Sequence, residues 1–408
     1  MSGTDDTIEP VLRHAYGRVV ATLMRQFGNH RLALVEDGLS QAMIEAVGTW
    51  RARGIPPNAK AWLLRAARNR IIDELRKTSR VEAVEETPEH GSAEPDDPAL
   101  NEDVHDDELR ALLVCAHQGI PLPSQIAFAL RTLCGFSTRE IANRLVTTEE
   151  NVQKRWERAR EALAEVDFAA ERSHLEPERV RGVLRMIYVL FTEGYFASEG
   201  EQVLRLELCR EALRLAALVA EHPRATSREA WALLALMHFH HARRDARADE
   251  QGRPVLLEDQ DRSRYHRDEL ARGIEAFKQS DPRALDTKYH LEAAIAAEHA
   301  FAPRFEDIRW KEIVALYDRL AVLEPSPLHD LHAAIALSWA EGPQAALPRL
   351  DAMRPPTWLA ASHLWLATYA DFHRRLGDRN KARELYEKAI ALAPPLEGGV
   401  LRRRLESL

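Results

Sequence analysis

Apolar residues recur at spacings of three and four along most of the chain, which is the pattern of helices with one buried face. Near the start the pattern gives two successive faces: Leu12, Tyr16, Val19, Leu23 and Phe27, then Val35, Leu39, Ala42, Ala46 and Trp50. Gly54 and the Pro56-Pro57 pair interrupt it, because a helix interior tolerates neither residue type well. A third helix follows over AWLLRAARNRIIDELRK, with its apolar face formed by Leu64, Ala67, Ile71 and Leu75. We therefore predict a helical domain over residues 8–80.

The chain then changes character over residues 81–106. The stretch from 81 to 108 contains three prolines and 12 acidic residues but neither Lys nor Arg. Dense charge of one sign and few apolar residues keep a segment from packing, so we expect a flexible linker over 81–106.

The helical pattern returns over residues 107–170. Two amphipathic stretches, DELRALLVCAHQGI and SQIAFALRTLCG, precede two short helices that lie close together in sequence. Each of the two begins with a predicted capping box, Ser137 with Glu140 and Thr147 with Glu150. Only the Leu145-Val146 corner separates them. Two capped helices joined by so short a turn, the second of them basic, are typical of a helix-turn-helix.

The C-terminal part, residues 173–408, is predicted to be helical and to repeat. The pattern Leu316-Tyr317 to Pro325 recurs 69 residues later, from Leu385-Tyr386 to Pro394, which is two periods of about 34 residues. The last unit has the residue spacing of a tetratricopeptide (TPR) repeat at Gly377, Ala382, Tyr386, Ala389 and Pro394. We expect a solenoid of helical hairpins over 285–408 and stacked helices over 173–284.

Composition supports an all-α chain and excludes several classes of protein. Gly (18 residues) and aromatic residues (7%) are few, beside 45% hydrophobic and 29% charged residues. No apolar run approaches the roughly 18 residues of a membrane span, and the first residues lack the features of a signal peptide. Three cysteines are too few for a disulfide framework, so we expect a cytoplasmic protein without membrane association.

The charge is distributed unevenly along the chain. The whole protein carries −8, yet residues 1–80 carry +5 and residues 81–108 carry −12. The net charge of the whole chain therefore hides a basic N-terminal region behind one acidic strip, residues 81–108. Such asymmetry of charge indicates a polyanionic partner.

The basic residues fall on two predicted helix faces that suit nucleic acid. On the second helix of the helix-turn-helix, Asn151, Lys154, Arg155 and Arg158 lie opposite an apolar stripe, as base and phosphate contacts in a major groove require. The alternative is an ordinary solvated face. On the helix over 60–77, Arg65, Arg68, Asn69 and Arg76 share one side, with Trp62 at the helix start. This arrangement suits single-stranded DNA, although a Trp at that position can equally belong to the core.

These segments resemble a known family. VEDGLSQAMIEAVGTW followed by AWLLRAARNRIIDELRK resembles region 2 of bacterial extracytoplasmic-function (ECF) sigma factors, and FSTREIANRLVTTEENVQKRWERARE resembles their region 4. RMIYVLFTEGYFAS, HARRDAR and VLLEDQDRSRYHRDEL resemble the subgroup with a long C-terminal TPR-like extension. The resemblance covers essentially the whole chain.

The resemblance implies roles for three sets of residues. The set that matches the region docking on the β′ clamp helices of core RNA polymerase is Glu36, Asp37 and Gln41. The set that matches the loop and helix melting the −10 promoter element is Asn58, Lys60, Trp62, Arg65, Arg68 and Asn69. The set that matches the helix reading the −35 element is Thr148, Asn151, Lys154, Arg155 and Arg158. Region 4 of the family also contacts the β flap, so core polymerase and promoter DNA are the implied partners.

Two clusters in the C-terminal part are open to other interpretations. His238, His240, His241 and Asp245 have metal-ligand chemistry, but packed or surface histidines are the preferred interpretation and we predict no metal or cofactor. The charged residues between Arg243 and Arg262 could line a site for an effector or regulatory protein, or could form an ion-pair network.

No nucleophile–base pair or phosphate-binding loop is evident in the sequence, so we predict a transcription initiation factor and not an enzyme. Two alternatives remain: a helix-turn-helix activator with a TPR sensor that does not bind core polymerase, and an interaction scaffold with solvated basic helices.

Overall fold

Helices make up the regular secondary structure of this chain. The computed structural model describes residues 5–81, 99–117, 119–145, 147–164, 166, 177–195, 204–223 and 227–408, and these contain no β-strand. The all-α class predicted from the sequence is confirmed. The chain divides into two compact units, Met1–Val189 and Leu190–Leu408, which are described separately.

The described residues of the first unit form seven complete α-helices and the start of an eighth that continues into the second unit. They are α1 (Asp5–Phe27), α2 (Leu32–Arg53), α3 (Ala59–Val81), α4 (Ala99–Cys115), α5 (Leu122–Thr132), α6 (Thr138–Arg144), α7 (Glu149–Leu163) and α8 (Pro177–Tyr195).

Helices α1, α2 and α3 pack on one another through the faces that the spacing predicts. All five residues of the α2 face, from Val35 to Trp50, are buried. The prediction for α3 is off by one position at its start, because Leu63 is fully buried and Leu64 only half-buried. Leu63, Ala67 and Ile71 are spaced four apart and form one stripe toward α2. The chain leaves α2 at Gly54, whose positive φ of 81° suits glycine.

Helix α4 begins within the segment that the sequence predicts to be linker. Residues 82–98 of that segment lie outside the described residues, but Ala99 already starts the helix. Its acidic residues Asp107 and Glu108 are completely buried. Arg25 of α1 lies 2.9 Å from the Asp107 carboxylate, and Arg18 lies 3.6 Å from that of Glu108. The last acidic residues of the strip are therefore packed counter-ions rather than solvated charge.

Helices α6 and α7 form the predicted capped pair, with one correction. Ser137 and Glu140 make a complete capping box at the start of α6. At the start of α7 the capping residue is Thr148, whose hydroxyl accepts a hydrogen bond from the Asn151 backbone N–H at 3.2 Å. The predicted box of Thr147 with Glu150 is wrong, because the helix begins one residue later.

The second unit holds the remaining helices, and most neighbours in sequence are also packing neighbours. They are α9 (Leu206–Glu221), α10 (Arg228–Ala242), α11 (Arg267–Gln279), α12 (Lys288–Phe301), α13 (Trp310–Leu323), α14 (Pro327–Ala340), α15 (Pro343–Ala352), α16 (Thr357–Ala360), α17 (His363–Arg375), α18 (Arg379–Leu392) and α19 (Pro395–Glu406).

The residues with TPR-like spacing lie on the hairpin of α17 and α18. Gly377 has a positive φ of 84° in the short turn between α17 and α18. Ala382, Tyr386 and Ala389 of α18 are buried, and Ala382 and Tyr386 pack in one cluster with Ala370 of α17. Small residues let the two helices approach while the Tyr ring fills the remaining space.

Candidate nucleic-acid and polymerase interface

The predicted −10 surface lies on α3 and on the loop before it. Trp62 packs edge-on against Trp50 of α2, with ring centroids 5.6 Å apart. The Asn58 side-chain carbonyl accepts a hydrogen bond from the Ala61 backbone N–H at 3.0 Å, and so caps the first turn of α3. Trp62 and Asn58 therefore hold the loop and helix together, besides any contact with DNA.

The other polar residues of this surface differ in exposure. Arg65 and Asn69 are exposed, whereas Arg68 and Lys60 are half-buried. Burial, together with the nearby Arg18, lowers the pKa of Lys60. Arg65 and Asn69 are thus, together with the capping residue Asn58, the exposed members of the predicted set.

Helix α7 has one buried and one polar face, as the sequence predicts. The buried face consists of Val152, Trp156, Ala159 and Leu163. On the other face Asn151, Lys154 and Arg158 are exposed and Arg155 is half-buried. Lys154 forms an ion pair with Glu150 at 2.6 Å, one turn earlier. Since both side chains of this pair are largely exposed, it contributes little and leaves the ammonium able to exchange partners.

The predicted polymerase-docking residues differ in their exposure to solvent. Asp37 and Gln41 are exposed, but Glu36 retains only 7% of its exposure. The hydroxyl of Thr132 in α5 donates a hydrogen bond to the Glu36 carboxylate at 3.0 Å, and the Arg131 guanidinium lies 3.9 Å away. In this arrangement Glu36 is therefore not presented to solvent together with Asp37 and Gln41, and the docking role of the three residues stays a prediction.

Burial shifts the pKa of Glu36. Loss of solvent raises its pKa, and the Arg131 charge and the Thr132 hydrogen bond only partly oppose this. The nearby Tyr16 of α1 is affected in the same direction, since burial and the Glu36 charge raise its pKa well above the usual range. Ionisation of Glu36 therefore weakens the contact between α2 and α5 relative to the protonated carboxyl group.

Backbones approach closely next to this contact, a feature that our sequence analysis missed. A Cβ placed on Gly17 of α1 would lie 2.1 Å from the carbonyl oxygen of Leu133, at the end of α5. One placed on Gly135 would lie 3.0 Å from the Tyr16 ring. A glycine inside a strongly apolar helical pattern is the signal that could have pointed to such a contact.

The covered carboxylate is linked to the inner face of α7. The Trp156 indole N–H donates to the same Thr132 hydroxyl at 3.4 Å. Arg131 stacks 4.0 Å from the centroid of the Trp156 ring and donates to Gln153 at 2.8 Å. The end of α5 thus connects Glu36 with the helix predicted to read the −35 element.

The histidine cluster of the second unit is organised around Glu269. His238 and His241 approach its carboxylate at 2.6 and 3.2 Å. Burial by itself would raise the pKa of Glu269, but the hydrogen bonds from both histidines outweigh it and lower the pKa far below the usual range. Asp245 does not join His241, as the helical spacing had grouped them, but approaches His266 at 2.6 Å.

Comparison with known proteins bears on the first unit directly. The sigma-70 region 2 family matches residues 12–81, which form α1, α2 and α3. The N-terminal helices of the chain therefore match region 2 of the sigma-70 family. The chain also matches a family of unknown function (DUF6596) over residues 179–281.

The chain has a relative along nearly its whole length. An uncharacterized protein of Rhizobium meliloti (strain 1021) is 35% identical over 411 residues, which cover 98% of this chain and 96% of the relative. No solved structure matches the chain significantly. Within the described residues, no helix combines the length and apolar character needed to span a membrane.

Proposed function

We propose that this protein is a sigma factor of the sigma-70 family and of the ECF type, which binds core RNA polymerase and directs it to promoters with −10 and −35 elements. The observation that carries the proposal is the region 2 match over α1–α3. It coincides with a second, capped helix pair whose polar face carries Asn151, Lys154 and Arg158. The protein would act in the cytoplasm as an initiation factor, without catalytic chemistry or a cofactor of its own.

Two promoter contacts follow from this proposal. The exposed face of α7 would enter the −35 major groove, where Asn, Lys and Arg side chains meet base edges and phosphates. The exposed Arg65 and Asn69 of α3, beside Trp62 and its loop, would hold the melted −10 strand. A duplex contact and a single-strand contact on separate helices are what promoter opening requires.

The proposal also requires a rearrangement within the first unit. Docking through the α2 surface would use Glu36 together with the exposed Asp37 and Gln41. Because Thr132 and Arg131 of α5 cover Glu36, α5 would have to leave α2 before that carboxylate could meet the polymerase. The arrangement with α5 on α2, hereafter the closed arrangement, would then be a resting state.

Run-off transcription with purified core polymerase is the test of the function. Promoter-specific transcripts that depend on this protein would support the proposal. Duplex DNA binding without core-dependent transcription would favour the helix-turn-helix activator instead. Absence of both would favour the interaction scaffold, since basic helices would then be solvated surfaces.

The C-terminal helices are proposed to form a TPR-like domain that regulates transcription in cis, with a regulatory protein or an effector as its partner. Repeated helical hairpins make extended concave surfaces, and covalent attachment keeps even a weak docking site occupied. A truncation after Val189 retains the whole first unit and is the direct test. A transcription rate, salt dependence and response to cell extract equal to those of the full chain would contradict the proposal.

A further inference from the structure

A cavity of about 350 Å³ lies inside the second unit, among helices α12, α13, α14, α17, α18 and α19. Cavities of about 300–1,000 Å³ are the usual size of small-molecule sites. This one is at the lower end of that range, which suits a ligand of one or two rings. An effector site among the charged residues between Arg243 and Arg262 is one of the two alternatives that the sequence leaves open, and Glu258 of that stretch lines the cavity.

Aromatic rings form one wall. Trp310 and Trp339 lie with centroids 6.0 Å apart and planes 23° from parallel. Phe305 stands edge-on to Trp339 at 4.8 Å, and all three rings line the cavity. On its outer side Trp339 is fixed by the Arg375 guanidinium, 3.8 Å from the ring centroid. Rings held in this way offer faces and edges to a further ring, which aromatic ligands occupy in offset or edge-on geometry.

One polar group of the lining has no partner within the protein. The Nδ1 atom of His299 is buried and, among the described residues, has no hydrogen-bond partner. The ring stands edge-on to Trp310 with centroids 5.4 Å apart. Leaving a buried imidazole nitrogen without a hydrogen-bond partner is unfavourable, so a ligand that bonds it gains affinity. A hydroxyl suits it best, because a hydroxyl accepts from Nδ1 in the tautomer that carries the proton there and donates to Nδ1 in the other tautomer.

The charges of the lining are compensated within the protein. Glu258 is paired with Arg404, and the Asp371 carboxylate is 2.7 Å from Arg374. Burial, reinforced by Arg243 and other neighbours, lowers the pKa of His299 to about 3. Burial and the nearby His329 lower the pKa of His332 to about 4, so both histidines are neutral at pH 7. A charged ligand would lose its hydration here without gaining an unpaired counter-ion.

We propose that this cavity binds an uncharged aromatic small molecule that carries a hydroxyl group, with its ring among Phe305, Trp310 and Trp339 and its hydroxyl on His299. If the C-terminal domain regulates transcription, this site is where a chemical signal would enter. Binding itself does not rest on the sigma-factor proposal. It can be measured on the full chain without polymerase, so either proposal can fail while the other stands.

Three probes of one shape test the proposal: 2-naphthol, 2-naphthoate and 2-naphthylmethylammonium. Their fluorescence, excited beyond the absorption of tryptophan, is titrated with the full-length protein at pH 7. We expect saturable binding of 2-naphthol to one site, at least tenfold tighter than that of the anion or the cation. Equal or tighter binding of either charged probe would overturn the chemical class assigned to the ligand.

Two variants locate the site. Ala367→Phe adds a ring to a half-buried residue of the lining and should weaken 2-naphthol binding at least tenfold. Ala315→Phe adds the same ring to an exposed position of α13 outside the lining and should leave binding unchanged. Unchanged helical circular dichroism shows that each variant is folded. Equal affinity of both variants would show that the probe binds elsewhere.

His299→Phe tests the hydroxyl contact separately, because it keeps a ring at that position. The wild type should prefer 2-naphthol over naphthalene by about fivefold to tenfold, and the variant should lose that preference. A preference retained in the variant would contradict the role of His299.

Discussion

Gly17 offers the sharpest test of the closed arrangement. In Gly17→Ala the added Cβ would meet the Leu133 carbonyl oxygen at 2.1 Å, whereas real Cβ atoms keep at least 3.0 Å. The obstacle is backbone, which cannot rotate away, so the end of α5 would have to retreat from α1. Overpacking of this kind costs about 1–3 kcal/mol. Helix propensity favours Ala over Gly, but it does so equally in the closed arrangement and in the open arrangement, in which α5 has left α2, since α1 is helical in both.

The expected result is therefore a shift of about 1–3 kcal/mol toward the open arrangement, which is about 5–150-fold in the equilibrium constant. Energy transfer between dyes on Ile44→Cys and Glu161→Cys, exposed positions of α2 and α7, reports the separation. The three native cysteines are buried, which favours labelling at the two introduced thiols. The apparent affinity for core polymerase should rise with the open fraction, because only that fraction presents Glu36.

Gly48→Ala is the matched control. Gly48 also lies inside a helix, and a Cβ built on it meets nothing within 4 Å. This substitution should raise helix stability without changing energy transfer or polymerase affinity. If Gly17→Ala, like Gly48→Ala, changes neither energy transfer nor polymerase affinity, the α1–α5 contact does not govern access to Glu36, and the reasoning is refuted.

Three further outcomes are expected from the same surfaces. Arg158→Ala should weaken binding to −35 duplex DNA by about 1–3 kcal/mol where a base edge is contacted, measured by gel shift with the exposed Glu161→Ala as control. Trp62→Ala should abolish permanganate-reactive thymines at the −10 element while the complex with unmelted promoter DNA still forms. If that complex is lost as well, the Trp62 ring serves only to pack against Trp50. Burial raises the pKa of Glu36 in the closed arrangement, so the protonated carboxyl group stabilises that arrangement. This stabilisation is fully present at a pH below the ordinary carboxyl pKa, and it is lost as the pH rises through the raised pKa of Glu36. Glu36→Gln should remove that part of the pH dependence of energy transfer, and an unaltered profile would assign it to other groups.

Local patterns in the sequence predicted the helices well, because each helix repeats its apolar positions within a few residues. The α2 face from Val35 to Trp50 and the buried residues of α7 are examples. The cap of α7 was misplaced by one residue because Thr147 and Thr148 have the same capping chemistry. The burial of Glu36 was not predictable from spacing, since its partner Thr132 is 96 residues away.

Composition misled the prediction where a helix begins inside a charged segment. The acidic average over the predicted linker, residues 81–106, conceals that α4 already begins at Ala99. Asp107 and Glu108 lie further along this helix and are buried. Their partners, Arg18 and Arg25, belong to α1. The lining of the cavity is likewise drawn from helices distant in sequence, so no motif contains it.

The contacts around Thr132 bear on the order of events at a promoter. A single hydroxyl donates to Glu36 and accepts from Trp156, and the neighbouring Arg131 lies between the same two residues. Moving α5 away from α2 would thus expose the proposed docking carboxylate and remove, in the same step, part of the support beneath α7. The polar face of α7 is exposed even in the closed arrangement, so DNA contact by itself gives no reason for α5 to move. Polymerase, by contrast, would gain Glu36 only in the open arrangement, and a ligand shifts an equilibrium only through such a difference in affinity. We therefore expect core polymerase, and not −35 DNA, to drive the change in energy transfer between α2 and α7; a change produced by −35 DNA alone would contradict this order.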